Sequence, residues 1–263
     1  LMLIALALMA LAVIPVFIAT VFIARKYREG NVRAEYIPEQ KDSMKQLLWF
    51  GFTGSIILIL AVITWKSTHA LDPYRPLASN VPPVRIQVVA LQWKWLFIYP
   101  EQRIATVNFI QFPERTPVNF ELTADAPMNS FWIPQLGGQI YAMPGMSTKL
   151  HLMADEPGDF PGVSAEISGR GFAGMKFIAR ASSQADFDAW VDSVKNSGNA
   201  LMMDEYKRLA VSSENEPAAF YASTEDDLYN KVIEKFMSPT EQTQQGMETD
   251  APQMMPEMQG VER

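Results

Sequence analysis

Cysteine is absent from the 263-residue chain, and only two histidines are present, His69 and His151. The lack of cysteine excludes a disulfide framework, a thiol nucleophile, thiolate zinc sites and iron–sulfur clusters. Two histidines leave few ligands for a dedicated metal site. The formal net charge of −7 argues against nucleic acid as a partner, because phosphates require clustered lysine and arginine.

Two long, mostly apolar segments carry no charged side chain, residues 1–24 and residues 47–65. About 20 apolar residues suffice to cross the hydrocarbon core of a bilayer. We therefore predict a two-helix transmembrane anchor over residues 1–65. The chain begins with Leu1 and has no basic start, so we expect its true N-terminus, with any signal peptide or lipid-bearing cysteine, to precede this residue.

The loop between these segments, residues 25–46, carries six Lys/Arg against four Asp/Glu. An excess of lysine and arginine in a short loop marks the cytoplasmic side of a membrane. The rest of the chain is then outside, which in a bacterium is the periplasm. The alternative is a soluble two-helix hairpin, which two full-length uncharged segments disfavour.

After residue 65, apolar and polar residues alternate in several short stretches that Pro, Gly, Asn and Asp separate. This pattern predicts an antiparallel all-β sandwich or barrel over residues 66–182. The predicted strands are residues 84–88, 104–112, 118–123, 139–143, 148–153, 163–168 and 175–181.

Helical spacing returns in residues 183–237, which we predict to be a C-terminal helical extension. Ser183 followed by Asp186 resembles a capping box at the start of its first helix. Further helices are predicted over residues 199–210 and from Ser223 onwards.

Residues 238–263 are rich in methionine, glutamine, proline and acidic residues, and we predict them to be disordered. After residue 180 there are six Lys/Arg against sixteen Asp/Glu, so the acidic surplus of the chain belongs to its last third. The tail methionines could bind cuprous copper, although methionine is also common in flexible tails. They are Met247, Met254, Met255 and Met258.

Three segments carry a resemblance to one known family: residues 92–95 (QWKW), residues 129–137 (NSFWIPQLG) and residues 164–175. They resemble sequences of subunit II of the haem–copper respiratory oxidases. Residues 92–95 are similar to the Trp-rich segment that opens the cupredoxin domain of that family. Residues 129–137 (NSFWIPQLG) resemble the segment with its first copper histidine, and residues 164–175 resemble its Cys-x-Glu-x-Cys-x-x-x-His-x-x-Met copper loop. The resemblance implies a membrane-anchored all-β fold, in which a transmembrane helical hairpin precedes a cupredoxin-like Greek-key β-barrel and a small C-terminal helical extension.

In family members with copper A, two cysteines, two histidines, a methionine and a backbone carbonyl hold the dinuclear centre. Glu166, the carbonyl position, and Met175 are retained here. A serine hydroxyl is a hard ligand and phenylalanine is none, so we expect no copper A, no other cofactor and no catalytic residue in this chain. The four lost ligand positions are Asn129, Ser164, Ser168 and Phe172.

Without copper A, a soluble cytochrome c has no entry point for its electrons, whereas a quinol can reach a haem from within the bilayer. The pattern, including the helical segment after residue 183, is thus similar to subunit II of the bo-type ubiquinol oxidases. The resemblance implies a non-catalytic structural subunit of a proton-translocating quinol:oxygen oxidoreductase in a bacterial inner membrane. Subunit I would contain a low-spin haem, a high-spin haem and copper B, and subunits III and IV would complete the complex.

A second interpretation is a membrane-tethered cupredoxin-like binding or assembly module outside an oxidase. In either case we expect Trp93 and Trp95 to pack or to contact a subunit rather than to relay electrons. His69 and His151 are expected at the surface or in subunit contacts, since neither belongs to a ligand cluster in the sequence.

Members of the oxidase family often carry a glutamate near the cytoplasmic start of the second span, at the mouth of a proton channel in subunit I. The nearest match here is Gln46, which cannot titrate. Glu39 and Asp42 are the alternatives, and the sequence assigns the role to none of the three.

Overall fold

The computed structural model describes residues 2–29, 31 and 43–237, and it divides the chain into two compact units, Leu1–Asp72 and Pro73–Arg263. Glu39, Asp42, most of the loop after residue 29 and the methionine-rich tail lie outside the described residues. The predicted domain limits at residues 65, 182 and 237 stay a prediction.

The first unit contains two long apolar helices, α1 (Met2–Lys26) and α2 (Ser43–Ala70). Both are long and apolar enough to cross a membrane by length and composition. Pro15 lies inside α1 without ending the helix. The uncharged segments predicted as spans fall within these helices, and α2 extends five residues past Trp65 to include His69.

The second unit is built on two β-sheets that face each other. Its strands are β1 (Val84–Leu91), β2 (Lys94–Tyr99), β3 (Ile104–Val107), β4 (Phe109–Pro113), β5 (Val118–Ala124), β6 (Asn129–Trp132), β7 (Ile140–Ala142), β8 (Thr148–Leu152), β9 (Gly158–Ser164), β10 (Lys176–Ser182), β11 (Ala200–Leu201), β12 (Ala219–Tyr221) and β13 (Ser223–Thr224). The first sheet has the order β12-β3-β2-β1-β5-β8, and the second has the order β4-β10-β9-β6-β7. The fold is therefore a β-sandwich, with mostly antiparallel neighbours.

Aromatic side chains fill the space between the two sheets. Phe131 of β6 stacks on Phe177 of β10 at 5.0 Å between ring centroids. It also meets Trp95 and Phe120 of the opposite sheet, each at 5.3 Å. All four rings are buried, so this cluster joins the two sheets of the sandwich.

The strand predictions need three corrections. β2, β6 and β12 are strands of the two sheets that the alternation did not predict. The segment 104–112 is divided into β3 and β4 because Asn108 adopts a left-handed backbone conformation (φ 53°) and leaves the ladder. The predicted strand 163–168 is wrong at both ends, since β9 runs from Gly158 to Ser164.

The C-terminal segment adds three helices, α3 (Gln184–Lys195), α4 (Met203–Ala210) and α5 (Leu228–Met237). The Ser183 cap is confirmed, because its Oγ accepts a hydrogen bond from the Asp186 backbone at 3.1 Å. The other two helix starts were predicted too early. Residues 200–201 and 223–224 instead pair with each other as β11 and β13.

Asp125, at the end of β5, anchors this C-terminal segment to the sandwich. Its carboxylate accepts hydrogen bonds from the Tyr206 hydroxyl at 2.6 Å and from the Lys235 ammonium at 2.8 Å. An apolar cluster that includes Leu96, Leu201 and Val232 fills the space between the outer face of the first sheet and α4 and α5. The segment therefore packs as part of the second unit.

Replacing Phe131 by alanine should lower the free energy of unfolding by about 3–5 kcal/mol, because the change removes a buried ring from the contact between the sheets. Denaturant unfolding followed by tryptophan fluorescence measures the loss. Tyr141→Ala, at an exposed position on neighbouring β7, is the matched control and should stay within about 0.5 kcal/mol. Equal losses in the two variants would contradict this account of the core.

Candidate functional site

The six positions that the oxidase resemblance singles out lie at the start of β6, at the end of β9 and in the segment that joins β9 to β10. Asn129 begins β6 and Ser164 ends β9, and these two strands pair with Phe131 opposite Ser164. Glu166 and Ser168 follow β9 in a loop, and Phe172 opens a short 3-10 helix, Phe172–Gly174, before β10. The strand pairing thus brings Asn129 and Ser164 next to each other.

A hydrogen bond joins Asn129 and Ser164, the two buried polar residues among these six positions. The Ser164 hydroxyl donates to Asn129 Oδ1 at 3.1 Å and also lies 3.3 Å from the Glu166 carbonyl oxygen. Asn129 Nδ2 in turn donates to the Pro127 carbonyl at 2.8 Å. Asn129 is 1% exposed and Ser164 is 5% exposed. Their side chains therefore satisfy each other away from solvent, as buried polar groups must.

The remaining positions are not gathered around this pair. Met175 is buried in the core, and its carbonyl accepts a hydrogen bond from the Ser164 backbone at 3.1 Å. Phe172 is half-buried in the 3-10 helix. The Ser168 hydroxyl is buried and has no hydrogen-bond partner in the described part of the chain.

Trp93 is the residue that closes over this loop. Its indole Nε1 donates to the Ser168 carbonyl at 3.1 Å. A Cβ atom at Gly171 would lie 2.4 Å from the ring, so only glycine fits beneath the indole there. Trp93 itself has φ 71°, a left-handed conformation that a bulky residue rarely adopts. Its predicted role in packing fits these contacts.

Sequence reasoning missed Lys94, which lies between two tryptophans and is only 2% exposed. Its ammonium donates to the Val211 carbonyl at 3.0 Å and lies 3.7 Å from Glu216. Burial lowers the pKa of Lys94, and the charge of Glu216 opposes that shift. A lysine inside an otherwise apolar strand was the signal that could have predicted a buried, paired ammonium.

The two histidines lie in different units. His69 Nδ1 is 2.9 Å from the Trp65 carbonyl, and His151 Nδ1 is 2.7 Å from Asn119 Oδ1. Within residues 2–29, 31 and 43–237, no group of three or more His, Cys, Asp or Glu side chains could hold a metal ion. Gln46, considered for the proton-channel role, is exposed at the start of α2.

Family comparisons match two stretches of the chain. Residues 99–182 match the family described as "Cytochrome C oxidase subunit II, periplasmic domain". Residues 195–240 match the "COX Aromatic Rich Motif".

Similar curated proteins extend this match over most of the chain. The "Cytochrome bo(3) ubiquinol oxidase subunit 2" of Pseudomonas putida is 57% identical over 238 residues, which cover 90% of this chain and 76% of that protein. The chain belongs to the ubiquinol oxidase subunit 2 family. The subunit 2 proteins of Pseudomonas aeruginosa and Acetobacter aceti are 53% and 50% identical over 81% of this chain, which spans 65% and 70% of their lengths.

Solved structures of oxidases are also similar to this member of the ubiquinol oxidase subunit 2 family. The periplasmic domain of cytochrome oxidase subunit II from Bradyrhizobium japonicum is 21% identical over 46% of this chain and 98% of its own length, with a TM-score of 0.43. A chain of a heme-copper terminal oxidase dimer is 17% identical over 53% of this chain and 99% of its own, with a TM-score of 0.40.

Membership in the ubiquinol oxidase subunit 2 family confirms the resemblance drawn from the QWKW segment and the copper-loop segment. This chain is accordingly a membrane-anchored subunit of a respiratory quinol oxidase, with a cupredoxin-like β-sandwich after two apolar helices. The comparisons give no support to the module outside an oxidase.

Replacing Ser164 by alanine should lower the free energy of unfolding by about 1–3 kcal/mol, because it leaves buried Asn129 Oδ1 without its donor. Ser168→Ala is the matched control in the same loop. Its hydroxyl has no partner in the described part of the chain, so its loss should cost less than about 0.5 kcal/mol. Denaturant unfolding distinguishes the two, and a larger loss for Ser168→Ala would contradict the hydrogen-bond assignment.

Acidification should destabilise the β-sandwich through His151. Burial, followed by the charge of Lys149, lowers the His151 pKa, and a hydrogen bond with the Tyr74 backbone partly opposes this shift. The unfolded chain then binds a proton more readily, so stability is full above the ordinary histidine pKa and falls below it. Between about pH 7.5 and pH 5.5, the unfolding midpoint should drop further in the wild type than in His151→Gln. Parallel pH profiles would rule out His151 as the cause.

Proposed function

We propose that this chain is the non-catalytic subunit II of a proton-pumping ubiquinol oxidase, which oxidises ubiquinol and reduces oxygen to water in aerobic respiration. Family membership supports the kind of complex. The hydrogen bond between Ser164 and Asn129 carries the proposal that no electron passes through this subunit, because these positions would otherwise ligate copper.

The residues at the copper positions do not fit a dinuclear copper A centre. Copper in such a centre requires soft thiolates and imidazoles. Ser164 offers a hydroxyl that already donates to Asn129, and the Phe172 side chain has no donor atom. One thioether, Met175, and one carbonyl, Glu166, cannot replace four lost ligands. No step of the proposed reaction therefore runs through a metal in this chain.

Quinol suits a subunit of this kind because it is a lipid-soluble donor. It can reach subunit I from the bilayer without passing electrons through the β-sandwich. Subunit I would hold the low-spin haem, the high-spin haem and copper B, and subunits III and IV would complete the complex. The role of this chain is then to pack α1 and α2 against subunit I and to cover the outer face of that subunit with the sandwich.

The bacterial inner membrane is the proposed location, with the β-sandwich in the periplasm. The basic residues support this orientation, because α1 ends on Arg25 and Lys26 and the following loop is rich in lysine and arginine. An excess of such residues marks the cytoplasmic side. The sandwich follows the second span and is then on the opposite side.

Oxygen uptake by the purified complex tests the proposal. With ubiquinol as donor, uptake should proceed at a rate typical of respiratory enzymes, on the order of 10–1,000 turnovers per second. With reduced cytochrome c it should stay at the background level. A preference for cytochrome c, or a near-infrared absorption band of copper A, would overturn the proposal.

A further inference from the structure

The segment of residues 211–216, here called the strap, follows α4 and crosses the turn between β1 and β2. The Ser213 backbone donates to the Gln92 carbonyl at 3.3 Å, and the Lys94 ammonium donates to the Val211 carbonyl at 3.0 Å. The strap therefore holds both residues that flank Trp93. It lies within residues 195–240, the stretch that matches the aromatic-rich motif.

The strap also contacts the loop of residues 165–175 directly. Arg170 Nε lies 2.6 Å from Glu214 Oε1. A Cβ atom at Gly174 would lie 2.5 Å from Asn215 Oδ1, so the loop backbone is pressed against the strap at this point. Trp93 provides an indirect connection, since its indole is bonded to the Ser168 carbonyl. The strap thus contacts the loop at Arg170 and Gly174, and it also holds the residues on either side of Trp93, which packs on the loop.

Lys94 and Glu216 fix the strap itself. The Lys94 side chain is 3% exposed, and a buried ammonium is tolerated only where it is paired. Ser213 donates a short hydrogen bond to the Glu216 carboxylate, and Asn108 Nδ2 donates to the Glu216 carbonyl at 2.8 Å. Asn108 Oδ1 in turn accepts from the Trp95 backbone at 2.8 Å. Through Asn108, these bonds connect the strap to β2 of the first sheet.

Two residues that contact the loop of residues 165–175 have a left-handed backbone conformation. Trp93 has φ 71° and Asn215 has φ 54°. Left-handed conformations of this kind cost free energy and persist only where the surrounding contacts determine them. Asparagine tolerates this region, whereas a bulky residue such as Trp93 rarely adopts it, so the contacts of Trp93 with the loop and the strap's bonds to its neighbours are what hold it there.

We propose that the strap holds the loop of residues 165–175 in its folded conformation and so performs, through side-chain and backbone bonds, the ordering that a bound metal performs in metal-dependent loops. In this chain the conformation of the loop is set by Lys94, Glu214 and Asn215. The exposed Ile167 at the tip of the loop is thereby held on a fixed base. This inference goes beyond the proposed function and stands without it.

Hydrogen–deuterium exchange of the purified, complete complex tests the proposal. Lys94→Met preserves the aliphatic stem but removes the bonds to Val211 and Glu216. Exchange in residues 165–175 should accelerate about tenfold or more, while β1 and β5 keep their protection. Lys149→Met, at an exposed position on β8, is the matched control and should leave the loop unchanged. Unaltered exchange of the loop in Lys94→Met would overturn the proposal.

If Lys94→Met fails to fold, variants of the surface ion pair between Arg170 and Glu214 provide a second test. Arg170 is largely exposed, so Glu214→Arg alone should accelerate loop exchange by only about two- to fivefold. The double variant Arg170→Glu with Glu214→Arg should restore most of the protection, which a general loss of stability would not do. Absence of any effect of Glu214→Arg, or faster exchange of the wild-type loop after treatment with a metal chelator, would contradict the strap as the element that orders the loop.

Discussion

The pairing of β6 with β9 is the constraint on which the rest of the β-sandwich depends. It places Phe131 opposite Ser164, so that β6 contributes Phe131 to the hydrophobic core and Asn129 to the polar pair with Ser164. The Phe131 ring joins the two sheets, and two residues earlier Asn129 meets the Ser164 hydroxyl. A shift of one residue would expose the ring and separate the polar pair, because side chains alternate between faces.

The same pairing brings together the two buried polar side chains among the positions that the oxidase resemblance singled out, Asn129 and Ser164. The Ser164 hydroxyl donates to the Asn129 amide oxygen at 3.1 Å, so these two buried polar groups satisfy each other without a bound ion. Trp93 adds a second fixed point through the Ser168 carbonyl. The site is therefore held together by the ordinary interactions of a protein interior.

The sequence was informative where a single physical requirement dominates. Long uncharged segments predicted α1 and α2, and the resemblance of the Trp-rich and loop segments to known sequences indicated the oxidase family. The sequence was misleading at β9, where Pro161 and Gly162 were interpreted as a turn before the strand although both lie within it. Pro161 is tolerated because β6 pairs only with the end of β9, so Pro161 faces a neighbour on one side alone. Gly162 is required because the Phe177 ring occupies the space of its side chain.

Contacts distant along the chain were beyond reach of the sequence. The bonds from Lys94 to Val211 and from Tyr206 to Asp125 span 117 and 81 residues. No local pattern encodes such pairs. The helix starts predicted near residues 199 and 223 were wrong for the same reason, because residues 200–201 and 223–224 pair with each other as β11 and β13. Local propensity yields to a partner strand that only the folded chain supplies.

The position of β12 at the end of the first sheet has a consequence for how this protein avoids self-association. Ala219–Tyr221 pairs with β3 and occupies backbone groups that would otherwise form an open sheet edge. Open edges recruit strands from other molecules and seed aggregation. The C-terminal segment therefore leaves a strand of only three residues at this edge of the sheet, and a protein shortened before residue 219 would expose the edge of β3 instead.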